Sequence, residues 1–496
     1  MDDLTFYLLP IAITSLKGAV FEPRDDALSS FSHVLASSFT NHLLPTPTGK
    51  KMKVQVLETA LIRPSAAPFT DDHTLPLSHL DNDHSLNVTF RYLRAYTNTT
   101  ATDRHPFQVI PSAIAAALHH YYPLAGYLRR ASNGRYELLC RVDQSLPLVK
   151  ASVDCTLESV NYLEDPDMSS VEQFVPDPSP EETTVNPCTL QLTVFKCGGF
   201  ILGAAIHNSL CDGLGATQFF CMAADIARGV NQMKFQPVWD RSTLLGPRNP
   251  PKVEAPVREF LGLEKGFNPY KQDIGHVVKE CFYVEDECLD QLKALLCEQS
   301  GLGLTTFEIL GAYIWRAKVK ASEIQGDEIV KFSYLMNIRK VVKPALPAGY
   351  WGNGCVAMYA KVSAKDLIEQ PLWKTAELIK KSKSNACDEY VRSFIDLQEL
   401  HYEDGINAGK GVSGFTDWRH LGHSAVDFGW GGPITVLPLS TNFLGSMEPC
   451  FFLPYTSSNN TGKSKGFKVL VSLRETAMAD FREEMEKFSR KEFSKL

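Results

Sequence analysis

The chain has 496 residues, 44% hydrophobic and 22% charged, with a formal net charge of −7; that length suits two globular domains whose cores need no covalent staples. The acidic balance and the absence of a dense Lys/Arg run argue against nucleic acid as a partner, because duplex binding needs a basic face. No stretch offers the ~18 uninterrupted apolar residues of a membrane span, and Asp2 and Asp3 ahead of the apolar run Phe6 to Ile13 argue against a secretory signal, so a cytoplasmic protein is expected.

In chain order, residues 1–52 have no clear period and are rich in Ser, Pro and Thr after residue 28; they are expected to be an N-terminal extension, weakly ordered. A strand begins at Lys53 and runs through Val54, Val56 and Leu61 to the prolines at 64 and 68. Alanines and apolar residues at helical spacing predict a helix over 109–122, ended by Pro123, with strands at 135–141 and 147–152. Residues 160–187 are acidic and proline-rich and read as an exposed loop. Leu190 to Ile206 reads as a strand with Gly198-Gly199 inside it, and 213–228 as a helix.

Five prolines and little periodicity make 235–262 the expected linker between domains at 53–234 and 263–496. The second half alternates again. Strands are expected near 277–284, 328–336 and 354–361, and helices near 287–298, 305–321, 372–385 and 474–490. Strands and helices in both halves predict an α/β fold class, two similar-sized mixed domains.

The densest chemical cluster is His207-Asn208-Ser209-Leu210-Cys211-Asp212-Gly213, where a strand gives way to a helix. A histidine near an aspartate at such a junction suits general-base work, since an unperturbed imidazole titrates near pH ~6.5. A second cluster, Asp427-Phe428-Gly429-Trp430-Gly431-Gly432-Pro433, has the composition of a tightly specified turn. Gly422-His423-Ser424-Ala425-Val426 lacks the last glycine of a serine-hydrolase elbow. Gly462-Lys463-Ser464, Gly213-x-Gly215 and Gly301-x-Gly303 are incomplete nucleotide motifs. The twelve cysteines are scattered singly, with no metal-ligand spacing, so no metal is expected. Sequons at Asn87, Asn98 and Asn459 read as chance matches.

Taken together, the clusters at 207–213 and 427–431 resemble the His-x-x-x-Asp-Gly and Asp-Phe-Gly-Trp-Gly motifs of the plant BAHD acyltransferases. Further stretches resemble that family in the same order: Leu75-Pro76-Leu77-Ser78 with Leu80-Asp81, Tyr121 to Gly126, Cys197 to Phe200, Thr305-Thr306-Phe307 through Trp315-Arg316-Ala317, Asn337-Ile338-Arg339, and Gly349 to Asn353. The resemblance implies two domains of the chloramphenicol acetyltransferase type, with an active-site channel between them. It also implies a monomer with no bound cofactor, acyl-CoA as co-substrate, and a small-molecule hydroxyl or amine acceptor, phenylpropanoid-like.

The family's motif histidine takes the proton of the attacking acceptor, and counting back from Asp212 puts that position at Asn208. An amide is not a base near neutral pH, although it can donate and accept hydrogen bonds. His207 is one residue earlier, and strand alternation turns it to the opposite face from Asn208. Asp212 corresponds to a residue that holds local geometry. Asp427 resembles one that pairs with an arginine, at the position of Arg339; with Gly429 and Gly431 it makes up the second structural motif. Thr305 and Thr306 are the CoA-binding candidates, and Phe415, Thr416 and Trp418 the acceptor-pocket candidates. Three readings stay open. His207, or Asn208 itself, serves acyl transfer; the fold performs a different reaction; or the chain is a non-catalytic binding protein.

Overall fold

The first strands pair across a short gap: β1 (Leu43–Pro45) lies antiparallel to β2 (Lys51–Ile62). The structure, a computed structural model, describes residues 43–45, 51–98, 104–164, 166–177, 184–230, 233, 235–254, 256–454 and 465–493. Most of the expected extension, Asn459 and Gly462-Lys463-Ser464 lie outside these residues. All described residues belong to one compact unit, His42–Leu496.

The remaining strands of the two large sheets are β3 (Thr89–Tyr96), β4 (Leu146–Val153), β5 (Cys188–Phe195), β6 (Phe200–His207), β7 (Val277–Glu285), β8 (Ile329–Asn337), β9 (Cys355–Ser363), β10 (Val412–Asp417), β11 (Thr435–Pro438), β12 (Cys450–Phe452) and β13 (Gly466–Arg474). The first sheet has seven strands in the order β1-β2-β4-β5-β6-β3-β11, and the second six in the order β7-β13-β12-β10-β8-β9. The main helices are α1 (Pro106–His120), α2 (Gly213–Ala227), α3 (Asp286–Ser300), α4 (Thr306–Ala321), α5 (Leu372–Ser384), α6 (Asp388–His401) and α7 (Glu475–Ser489). The mixed α/β class is as the sequence predicts. β11, however, comes from the C-terminal half and pairs antiparallel with β3, so a strand crosses the division drawn at 235–262.

β6 explains itself. Its residues, Phe-Ile-Leu-Gly-Ala-Ala-Ile-His, are buried along their whole length, as a strand covered on both faces must be. Gly203 is required there, because a Cβ would sit 2.1 Å from the carbonyl oxygen of Phe174. That contact overturns the expectation of an exposed loop over 160–187. Within it, Met168, Val171 and Phe174 are buried. Glu172 bonds both Arg91 of β3 and Lys279 of β7, each at 2.6 Å. The apolar residues in this stretch outweigh its acidic ones once a sheet face is available to cover.

The single strand expected over 190–206 is the hairpin β5–β6, turned at Gly198 with φ +78°. The stretch 235–262, expected as a linker, is packed: Arg241 and Leu245 are buried, and Arg248 bonds Asp396 at 2.6 Å.

Candidate active site

The site grows from the end of β6. The backbone N–H of Asn208 donates to Val88 O at 2.9 Å, and its carbonyl accepts from Asn353 Nδ2 at 2.9 Å, so the residue is held at both ends. Asn208 borders a cavity of about 520 Å³, between the β6–α2 junction and the ends of β8 and β10. His207 is not among the residues lining it. Its ring meets Tyr136 edge-on at 5.4 Å, and its Nδ1 accepts from Ser209 N at 3.3 Å. Strand alternation accounts for this division.

Burial, reinforced by the charge of Arg130, pushes the His207 imidazole down to about 4. A histidine depressed in the native state leaves only the unfolded chain to take up a proton between pH ~6.5 and 4, so stability falls as pH drops through that window. His207→Asn, which keeps an acceptor near Ser209 N, is expected to remove roughly 2 kcal/mol of the loss between pH 7 and pH 5. Urea unfolding of both proteins at the two pH values measures it; equal losses would refute the assignment.

Asp212 caps α2, its Oδ1 accepting from Gly215 N at 2.9 Å. The same carboxylate receives Arg339 in a two-pronged pair at 2.7 and 3.0 Å, and Gly354 N at 3.0 Å. Burial opposes its ionisation, but the charge and hydrogen bonds of Arg339 outweigh that and hold the carboxyl below its ordinary value. A Cβ at Gly354 would lie 2.5 Å from Arg339 Nη1, so any side chain there would displace the guanidinium that holds Asp212. Asn353 continues the latch to Asp81, which accepts from its N–H and its Nδ2 at 2.8 Å each. The motif stretches at 78–81, 208–213, 339 and 349–354 are therefore one hydrogen-bonded knot behind the cavity wall.

This corrects the pairing implied for Asp427. Arg339 belongs to Asp212, and Asp427 lies 3.8 Å from Arg228. Asp427 Oδ1 accepts from Gly429 N at 2.7 Å and Gly431 N at 2.9 Å, closing a turn in which both glycines have positive φ (104° and 87°). Trp430 then packs on Phe200 of β6 at 5.3 Å. The second motif anchors the back of the sheet and does not line the cavity.

Phe415, Thr416 and Trp418 do line it, with Phe90 and Tyr92 opposite; the Trp418 ring is 5.8 Å from each of those two rings. Thr305 and Thr306 do not. The Thr305 hydroxyl caps α4 in a reciprocal pair with Glu308, while neighbouring Phe307 and Lys383 reach the cavity and Lys383 bonds Glu308 at 2.6 Å. Lys383, His420 and His423 are cavity residues that sequence reasoning missed, and none carries a local signature of binding. A second cavity of about 530 Å³ shares Leu214, Thr217 and Leu421 with the first, so the two meet along α2. Among the described residues no helix is long and apolar enough to cross a membrane, and no group of three or more His, Cys, Asp or Glu could hold a metal ion.

Residues 52–488 match the Transferase family. The chain belongs to this family, the BAHD acyl-CoA-dependent acyltransferases. Among curated BAHD relatives, the spermidine sinapoyl-CoA acyltransferase of Arabidopsis thaliana is 31% identical over 88% of this chain and 97% of its own. The omega-hydroxypalmitate O-feruloyl transferase of the same plant is 31% identical over 88% and 93%. The taxadien-5-alpha-ol O-acetyltransferase of Taxus cuspidata is 30% identical over 90% and 99%. The fold is that of vinorine synthase, with TM-score 0.67 and 21% identity over 88% of this chain and 98% of that one. It is also that of F. graminearum TRI101 complexed with ethyl coenzyme A, with TM-score 0.66 and 15% identity over 84% and 98%.

Proposed function

We propose that this chain transfers an acyl group from an acyl-CoA thioester to a hydroxyl, or an amine, of a plant specialised metabolite of phenylpropanoid-like character. The acceptor oxygen or nitrogen attacks the thioester carbon, the C–S bond breaks, and the acceptor's proton leaves with the CoA thiolate to give the free thiol. The supporting observation is the aromatic-walled cavity of about 520 Å³ at the β6–α2 junction, with Asn208 on its wall. That size suits a small aromatic molecule, and relatives are named for sinapoyl, feruloyl and acetyl transfer. In this reading Asn208 donates a hydrogen bond to the thioester carbonyl, stabilising the charge that develops there. Phe307 and Lys383 meet the CoA, and the protein acts as a cytoplasmic monomer with no resident cofactor.

One observation favours a second reading, a binding protein that has kept the pocket: the motif position carries an amide, and the neighbouring imidazole lies outside the cavity. Free-thiol release separates the two. The purified chain is given acetyl-, malonyl-, benzoyl- and hydroxycinnamoyl-CoA with alcohol, phenol and amine acceptors. Acceptor-dependent thiol release, retained in His207→Ala, is the expected result. Binding of CoA thioesters without release in any pairing would replace the first reading with the second.

A further inference from the structure

The second cavity, of about 530 Å³, takes no part in the chemistry so far, yet it is as large as the first and meets it at Leu214, Thr217 and Leu421. This neck is apolar. Thr217 spends its hydroxyl on Gly213 O at 2.8 Å. Its methyl is turned to the second cavity, since a Cβ added at Gly422, which lines that cavity, would lie 3.8 Å from Thr217 Cγ2. Leu421 lies across the first turn of α2, its Cδ1 3.2 Å from the place a Gly213 Cβ would take. Leu214 and Leu421 are both half-buried. A charged or strongly polar group passing between these side chains would lose its water and find no partner.

Beyond the neck the wall stays apolar, with Ala116 of α1, Met222 and Ile226 of α2, and Phe235. Among the described residues its lining holds no Lys or Arg, and its one carboxylate, Asp225, is paired with Arg228. His119 Nδ1 is 3.2 Å from Ala66 O. Burial, followed by the neighbouring His119, lowers the His120 pKa, which keeps that ring neutral at pH 7. No unbalanced charge is therefore left for an ionic ligand. What suits a neck of two leucines and a methyl, and an apolar chamber behind it, is a linear hydrocarbon chain. The residues placed at the CoA end, Phe307 and Lys383, stand on α4 and α5 and border the first cavity alone. A chain in the second cavity thus belongs to the acceptor.

We propose that the second cavity is a tail subsite for the acyl acceptor, and that this acceptor is a phenol bearing a linear alkyl chain. Its ring lies in the aromatic-walled first cavity with the hydroxyl toward Asn208, and its chain passes Leu214, Thr217 and Leu421 to run along α2. This rests on the reading of the first cavity as an acceptor pocket, but binding tests it without turnover. The probes are 4-ethylphenol and 4-octylphenol, titrated calorimetrically into the full chain with no acyl-CoA present. A buried methylene is worth a factor of about 3 to 4 in affinity, so the octyl compound is expected to bind at least about 100-fold more tightly, after the cost of ordering its chain. Ala116→Trp fills the second cavity without touching the first. It is expected to cut that ratio below about 10-fold and to leave 4-ethylphenol unchanged. Ala116→Met, a smaller filling, should give an intermediate ratio, and it carries the test if thermal unfolding shows that Ala116→Trp does not fold. Equal affinities for the two phenols, or a ratio that survives Ala116→Trp in the folded protein, would overturn the proposal. So would a chain-length preference for octanoyl- over acetyl-CoA that the same variant removes, because it would give the cavity to the acyl group. A chain that prefers 4-octylphenol, loses the preference in Ala116→Trp and releases no thiol from any acyl-CoA would leave this inference standing and sink acyl transfer.

Discussion

Asn208→His is expected to raise acceptor-dependent thiol release by about 10²–10⁴, the usual contribution of a positioned general base. The site is ready for the substitution. Asn208 is half-buried on the cavity wall, and its backbone is fixed by Val88 and by Asn353 Nδ2. An imidazole there would meet the space where acceptor and thioester come together. The nearest motif carboxylate, Asp212, is already committed to Arg339, Gly215 and Gly354 and would not capture the new ring. A partly solvated imidazole titrates near pH ~6.5, so the variant's rate should rise with pH through that value while the native rate shows no such limb. A pH–rate profile of both proteins with one thioester and one acceptor is the measurement. A variant no faster than the native chain would mean that acceptor and thioester do not meet at residue 208, and the acyl-transfer geometry would fall with it.

The opposite orientations of residues 207 and 208 are legible in the sequence, because strand alternation needs only the strand, and 200–206 is an unbroken apolar run followed by a glycine-started helix. The partner of Asp427 is not. Arg228 and Arg339 are both arginines a carboxylate could take, and only the fold, which puts Arg228 at the end of α2 beside the 427–431 turn, decides between them. The stretch 168–175 hides its buried Met168, Val171 and Phe174 among acids and prolines. β10, β11 and β12 are three to six residues long, too short to show a period. β13 is longer, but it is buried on both faces and so does not alternate. His423 reads in the sequence only as part of an incomplete hydrolase elbow, because its hydrogen-bond partner Arg94 is 329 residues away along the chain.

The largest stability effect is expected at Arg339. Asp212 has a 2% exposed side chain, and Arg339→Met would leave its carboxylate buried with only backbone donors and the Cys355 thiol. Breaking a buried ion pair from one side costs about 3–5 kcal/mol, more than the pair itself is worth, because the orphaned charge remains. The sign of the pH dependence should reverse. In the native chain the Asp212 carboxyl is held below its ordinary value, so its contribution is present above pH ~4 and is lost as pH falls through the lower, native value. In Arg339→Met burial is no longer outweighed, the carboxyl rises above its unfolded value, and the deficit should shrink on acidification from pH 7 toward pH 5. The double variant Asp212→Asn with Arg339→Met removes both charges and should recover part of the loss. Urea unfolding of the three proteins at pH 7 and pH 5 tests all of this. A deficit independent of pH and unrelieved by the second substitution would assign the damage to lost packing around Tyr350, whose ring lies 5.8 Å from the guanidinium, rather than to the orphaned carboxylate.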